Sequence, residues 1–153
     1  MNIRKLLMLL SLIVLSFLDG KANIHENTTI DSLKHILNIE KDAQKIIETF
    51  VLLADEYSIS NPDSAEKYYI MAQKYARLAI EKDLQNVDTK HLKLIESLSL
   101  HKMGNLYLSL NRYDEALQTY INCVEIRIQI QDIEGLGKTY NNLGIVYSYL
   151  GET

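Results

Sequence analysis

Gly104-Asn105-Leu106-Tyr107-Leu108-Ser109-Leu110 returns forty residues later as Gly144-Ile145-Val146-Tyr147-Ser148-Tyr149-Leu150. Self-similarity at a fixed step of this size marks a helical solenoid. One repeat cannot bury its apolar face alone, so it stacks on the next. Such folds act by offering a surface to a partner more often than by chemistry.

Working outward, the apolar spacing predicts a helix from about Thr89 to Leu110, a tight turn at Asn111-Arg112, and a helix from Asp114 to Ile130. The second of these sets Ala116, Tyr120, Cys123 and Ile126 on one side. Gln131 to Gly135 reads as a loop, followed by a last helix from about Leu136 to Leu150. Upstream, Ile30, Leu33, Ile36 and Leu37 recur at helical steps, and Ile46, Phe50, Leu53 and Ala54 form a stripe on a helix from Asp42 to Tyr57. Pro62 biases Asn61 away from helix, so Asp63 or Ser64 is the expected cap of a helix running from Ser64 to Lys82. A polar linker spans Asp83 to Asp88. No segment alternates with the two-residue period of a half-buried strand. The expected fold is all-α, built of antiparallel helix pairs.

These residues resemble the tetratricopeptide repeat. The pattern reads Leu100, Met103, Gly104, Tyr107, Tyr113, Ala116, Tyr120 and Cys123, then Tyr140, Leu143, Gly144 and Tyr147. A weaker earlier copy reads Phe50, Leu53, Ala54, Tyr57, Ala65, Tyr69 and Ala72. The family's usual period is about 34 residues. The longer step here resembles its long-helix variety, of which Glu125-Ile126 and the 132–135 loop are typical. The resemblance implies a right-handed helical-hairpin solenoid over 42–153, with repeats at about 42–82, 89–130 and 136–153. The last copy stops where the first continues into its second helix, so the last repeat is expected to be incomplete and the chain a piece of a longer protein. Leu143, Tyr147 and Leu150 would then be left partly uncovered.

Arg4 and Lys5 precede the apolar run Leu6 to Leu18, and the small residues Gly20 and Ala22 follow. That order reads as a secretory signal over 1–22, cut after Ala22, with a helical lead-in at 23–41. The run is short for a spanning helix, which needs about 20 residues. The chain is expected to be exported, periplasmic or extracellular, with membrane contact only through that segment or through missing downstream parts. The layout resembles the exported sensor arms of bacterial signalling proteins. Their output domains are kinases, cyclases or DNA-binding regulators. These residues carry none of those domains, so no output activity is carried over.

The whole chain has a formal charge of −4. The signal segment holds Arg4, Lys5 and Lys21 against Asp19, which leaves the rest more acidic still. That balance argues against nucleic acid and anionic membranes. The single cysteine, Cys123, sits where a small buried side chain is wanted and cannot form an internal disulfide. His25, His35, His91 and His101 show no metal-ligand spacing, and Gly135-Leu136-Gly137-Lys138 lacks the glycine spacing of a phosphate loop. No catalytic set converges. Catalytic residues, metal, cofactor and small-molecule substrate are therefore not expected.

The resemblance places a partner-binding groove on first-helix residues facing away from the second helices: His101, Lys102, Asn105 and Ser109 in one copy, Lys138, Asn141, Asn142 and Tyr149 in the next. The asparagine amides could bond an extended peptide backbone and the lysines a carboxylate. The expected partner is a protein or peptide segment. The competing reading is a structural, dimerising sensor arm with no peptide ligand.

The leader generates the first prediction. Expression of the full chain, with N-terminal sequencing of the exported product, should give a mature protein that begins at Asn23. A product that keeps Met1 and stays in the cytoplasm contradicts the export reading.

Overall fold

The computed structural model describes residues 28–82 and 88–151. The expected signal segment, and all but Asp88 of the expected linker, lie outside the described residues or at their edge. Among the described residues six helices follow one another: α1 (Thr28–Ile39), α2 (Ala43–Ser60), α3 (Pro62–Glu81), α4 (Thr89–Ser109), α5 (Tyr113–Ile130) and α6 (Ile133–Leu150). The described residues contain no strand.

Each helix packs mainly on its neighbours in the chain, and α2 also touches α4 as α4 touches α6. The first helices of successive hairpins therefore line one side, with α3 and α5 behind them. This is a helical-hairpin solenoid. Phe50, Leu53, Ala54, Ala65, Ala72, Leu92, Ala116, Tyr120 and Cys123 are wholly buried in one continuous core.

The turns are short because local chemistry ends each helix sharply. Asn61 alone joins α2 to α3: its side chain accepts from the Ser64 amide, and Pro62 takes the first helical position. The cap is thus Asn61, not Asp63 or Ser64, since proline needs no amide partner there and starts the helix earlier. Asn111 (φ 58°) and Gln131 (φ 59°) take the left-handed conformation that closes α4 and α5, and Gly151 (φ 74°) does so after α6, forty residues beyond Asn111.

The segment expected as a loop at 131–135 is mostly helix. Only Gln131 and Asp132 lie outside, and Asp132 caps α6 by accepting from the Gly135 amide at 2.9 Å. Gly135 signals no break. A Cβ there would collide with the Asp132 carboxylate and the Arg127 guanidinium, so the glycine makes room for a side chain from α5.

Gly104 is a packing residue. A Cβ on it would stand 2.6 Å from Cε1 of Tyr120 and 2.8 Å from Cδ1 and Cζ, so α4 and α5 can approach only over a bare Cα. Gly144 is exposed, and a Cβ there would meet nothing within 4 Å. Of the positions expected to be partly uncovered, Tyr147 and Leu150 are half-buried against the core, while Leu143 is buried. The residues left open are Tyr140 (54% exposed), Ile145 (40%) and Tyr149 (63%), because Leu143 and Val146 point back to the preceding hairpin.

The two glycines should therefore respond with opposite signs. Gly104→Leu overpacks the Tyr120 ring and should cost about 1–3 kcal/mol. Gly144→Ala adds helix propensity without a clash and should stabilise by up to about 1 kcal/mol. Denaturant midpoints of the two variants against the parent check this.

Candidate functional site

Two polar brackets join successive hairpins, and they occupy the same place in the repeat. In the first, the Tyr69 hydroxyl on α3 donates to Asp55 Oδ1 on α2 at 2.6 Å, and Lys102 on α4 donates to Asp55 Oδ2 at 2.5 Å. In the second, the Tyr120 hydroxyl on α5 donates to Asn105 Oδ1 on α4 at 2.5 Å, and Asn142 on α6 donates to the same oxygen at 2.8 Å. Asp55 follows the small residue Ala54, and Asn105 follows Gly104. Lys102 and Asn142 are forty residues apart. The device is one design in a charged and a neutral version. A second-helix tyrosine hydroxyl donates a hydrogen bond to an acceptor on its own first helix, and the next first helix donates to that same acceptor group.

Burial holds both phenols protonated. It is the main cause raising Tyr69, with the Asp55 bond and charge adding to it, and burial pushes Tyr120 up to about 12. Both act as donors throughout the ordinary pH range.

Beneath the second bracket lies a buried polar knot. Arg127, 4% exposed, donates through Nη1 to the Gly135 carbonyl and to Thr139 Oγ1, and its Nε has Asp132 Oδ2 at 3.6 Å. His101 Nδ1 lies 3.3 Å from Thr139 Oγ1, with its ring tilted against Tyr120. Burial first, then the charges of Arg127, Lys138 and Lys102, lower His101 to about 4, so it is neutral at pH 7. The Cys123 thiol donates to the Ser97 carbonyl at 3.1 Å, and burial pushes its pKa up. A buried neutral thiol is a poor nucleophile.

The face shared by α2 and α4 is more apolar than the eight expected groove residues suggest. A second cross-link joins them where His91 Nε2 meets Glu48 Oε1 at 2.9 Å. Between it and the Asp55–Lys102 pair, helical spacing sets Leu52 on α2 and Leu94 and Leu98 on α4, all exposed. An open groove beside the first bracket is lined by Ser58, Ile59, Tyr69, Lys102, Asn105, Leu106 and Ser109.

The expected residues divide by occupation. Lys102, Asn105 and Asn142 are brought together with α2 and α5 as bracket members, and His101 belongs to the knot. The Ser109 hydroxyl donates to its own helix at Leu106 O. Lys138 pairs with Glu134 one turn away and is exposed. Asn141 is exposed and touches the Asn142 side chain at 3.5 Å. Tyr149 stacks on Tyr113 of α5, ring centres 4.8 Å apart. Sequence reasoning missed Asp55, Tyr69 and Tyr120 as bracket partners. Their signal was positional: a polar residue directly after each small residue, and a tyrosine between the small residues of each second helix.

Among the described residues, no three His, Cys, Asp or Glu side chains group to hold a metal ion, and no helix is long and apolar enough to cross a membrane. The tetratricopeptide repeat family model matches residues 95–153. Such repeats generally mediate protein–protein interaction and are typically non-enzymatic scaffolds. The match begins inside α4; the first bracket shows the same design already at work between α2, α3 and α4. No curated protein and no solved structure matches the chain.

His101 sets a pH dependence. The unfolded chain binds its proton near pH 6.5, while the folded chain resists it down to about 4. Within that window the unfolded state holds more protons, so stability is whole above the upper value and falls as pH drops. Thermal melts should show the parent losing stability from pH 6.5 to 4 more steeply than His101→Asn. Parallel curves would place His101 outside the buried knot.

Proposed function

We propose that the chain is an exported protein-interaction module that holds an extended segment of another protein along the joint face of α2, α4 and α6. The observation that carries this reading is the mixture on that face: exposed Leu52, Leu94 and Leu98 set between side chains fixed by cross-helix bonds. Leucines held beside locked polar groups give a partner apolar pockets without the entropy of ordering the rim. Lys138 and Asn141, both exposed, extend the face onto α6 with a cation and an amide. Lys102, Asn105 and Asn142 shape the groove and would reach a partner only by giving up their bracket bonds. The signal-like leader and the resemblance to bacterial sensor arms support an exported sensing role, in which the bound segment is the input of a longer signalling protein.

A peptide-phage library selected on the purified chain tests this. Enriched peptides should bind Leu98→Glu at least about tenfold more weakly, a loss of about 1.4 kcal/mol, since a charge replaces an apolar contact. Asn141→Ala should weaken binding less, and Glu125→Ala on exposed α5 surface should leave it unchanged. If Leu98→Glu binds as the parent does, the groove is not the site, and a purely structural, dimerising arm becomes the better reading.

A further inference from the structure

The outer faces of α3 and α5 carry opposite charges. On α3 the exposed stripe steps by three and four through Lys67, Ile70, Lys74 and Arg77, while Ala65, Tyr69, Ala72 and Ala76 turn inward. Its exposed acids, Asp63 and Glu81, stand at the two helix ends, and half-buried Glu66 is held by Tyr107 and Arg112. Arg77 gives Nε to the buried Glu96, and its side chain stays 59% exposed. On α5 the matching stripe runs through Gln118, half-buried Ile121, Glu125 and Ile128. Every exposed charge on that helix is a carboxylate: Asp114, Glu115 and Glu125. Arg127, its one cation, is buried in the knot. Among the described residues Lys67, Lys74 and Glu125 form no ion pair.

The repeat fixes how these stripes can meet. Tyr69 and Tyr120 hold the same place in it, 51 residues apart. The same step relates Lys67 to Gln118, Ile70 to Ile121, Lys74 to Glu125 and Arg77 to Ile128. As second helices of successive hairpins, α3 and α5 run in one direction, with these pairs at matching heights. A two-fold interface must complement itself, since each contact occurs twice. Two face-to-face arrangements keep the helices aligned. An axis across the helices lays α3 on α3 and α5 on α5, so lysines meet lysines and carboxylates meet carboxylates. An axis along the helices lays α3 on α5 of the other copy and preserves height. Lys74 then faces Glu125, Ile70 faces Ile121, Lys67 faces the Gln118 amide, and the Arg77 stem covers Ile128. We propose that the outer faces of α3 and α5 form a two-fold interface with a second copy of this chain, its axis running along the helices. The joint face of α2, α4 and α6 lies on the far side of each copy, so the dimer presents two grooves back to back.

Sedimentation equilibrium of the purified full chain tests this. The parent should dimerise reversibly. Raising salt from about 0.05 to about 0.5 M should weaken the dimer about threefold or more, because exposed charges are screened. Lys74→Glu and Glu125→Lys should each raise the dissociation constant about tenfold or more, because like charges then meet at two symmetric contacts. The double variant restores both pairs with their signs exchanged, and should return to within about threefold of the parent. Both positions are exposed, so all three variants should keep the parent's helix content. Leu98→Glu should leave the dimer unchanged, which separates this face from the groove. The proposal is overturned if the chain stays monomeric at about 1 mM, the scale of weak association. It is equally overturned if a dimer ignores both reversals, or if the double variant stays as weak as the single ones. Slow amide exchange over 67–77 and 118–128 in the monomer would also overturn it, because another segment of the chain would then cover the face.

Discussion

The contact on which the solenoid depends is a tyrosine ring laid on a helix with no side chain beneath it. Tyr120 is wholly buried, and its ring occupies the space a Cβ of Gly104 would need. Close approach brings dispersion contacts over the whole ring, but it also buries a hydroxyl. A buried hydroxyl without a partner costs about 1–3 kcal/mol. The acceptor one residue after the glycine removes that cost, and its position follows from the glycine's. Packing and polar satisfaction are thus one requirement, met by two adjacent residues.

Because the acceptor group has room for a second donor, the same side chain reaches the next repeat. Lys102 uses it at Asp55 and Asn142 at Asn105. Stacking of successive hairpins is therefore set by direction as well as by apolar area: a helix sliding by one turn would strand both donors. The buried Arg127 adds a lock from the other side, bonding the first turns of α6 through Gly135 and Thr139. A buried guanidinium is a costly element unless its bonds are met. Its carbonyl and hydroxyl acceptors, with Asp132 beside it, explain why that stretch must be helix and why position 135 must be bare.

These features are unequally legible in the amino-acid order. The solenoid is legible from the forty-residue echo, and the buried stripes from apolar spacing, because both are properties of one helix at a time. The start of α6 is not, since Gly135 looks like a break until Arg127, eight residues earlier, is known to fill its place. Nor is the cap at Asn61, where two later residues compete equally well by type. In the groove, Lys102, Asn105 and Asn142 read as free polar groups. Their real partners, Asp55 for Lys102, Tyr120 for Asn105 and Asn105 for Asn142, lie 15 to 47 residues away along the chain, and only tertiary structure brings them together. Leu94 and Leu98 stay hidden for the converse reason. Their spacing matches a core stripe, and α4 is covered on so many sides that no sequence pattern separates its one open face.

A repeat that solves one packing problem several times also records where the solution changes. The acceptor runs Asp55, Asn105, Ile145, from a charge to an amide to a hydrocarbon. The first two keep a tyrosine possible, with a cationic grip exchanged for a neutral one. The third withdraws the acceptor while keeping the glycine beside it. Loss of the glycine would have placed a Cβ there; loss of the acceptor alone keeps the backbone bare and removes the polar group beside it. The α6 face therefore differs from the groove in kind. The groove's polar groups are consumed in holding the hairpins together, and its free capacity lies in leucines. On α6 the bare glycine is kept and only the polarity of its neighbour has changed, so a hydroxyl laid over Gly144 would find no acceptor at position 145.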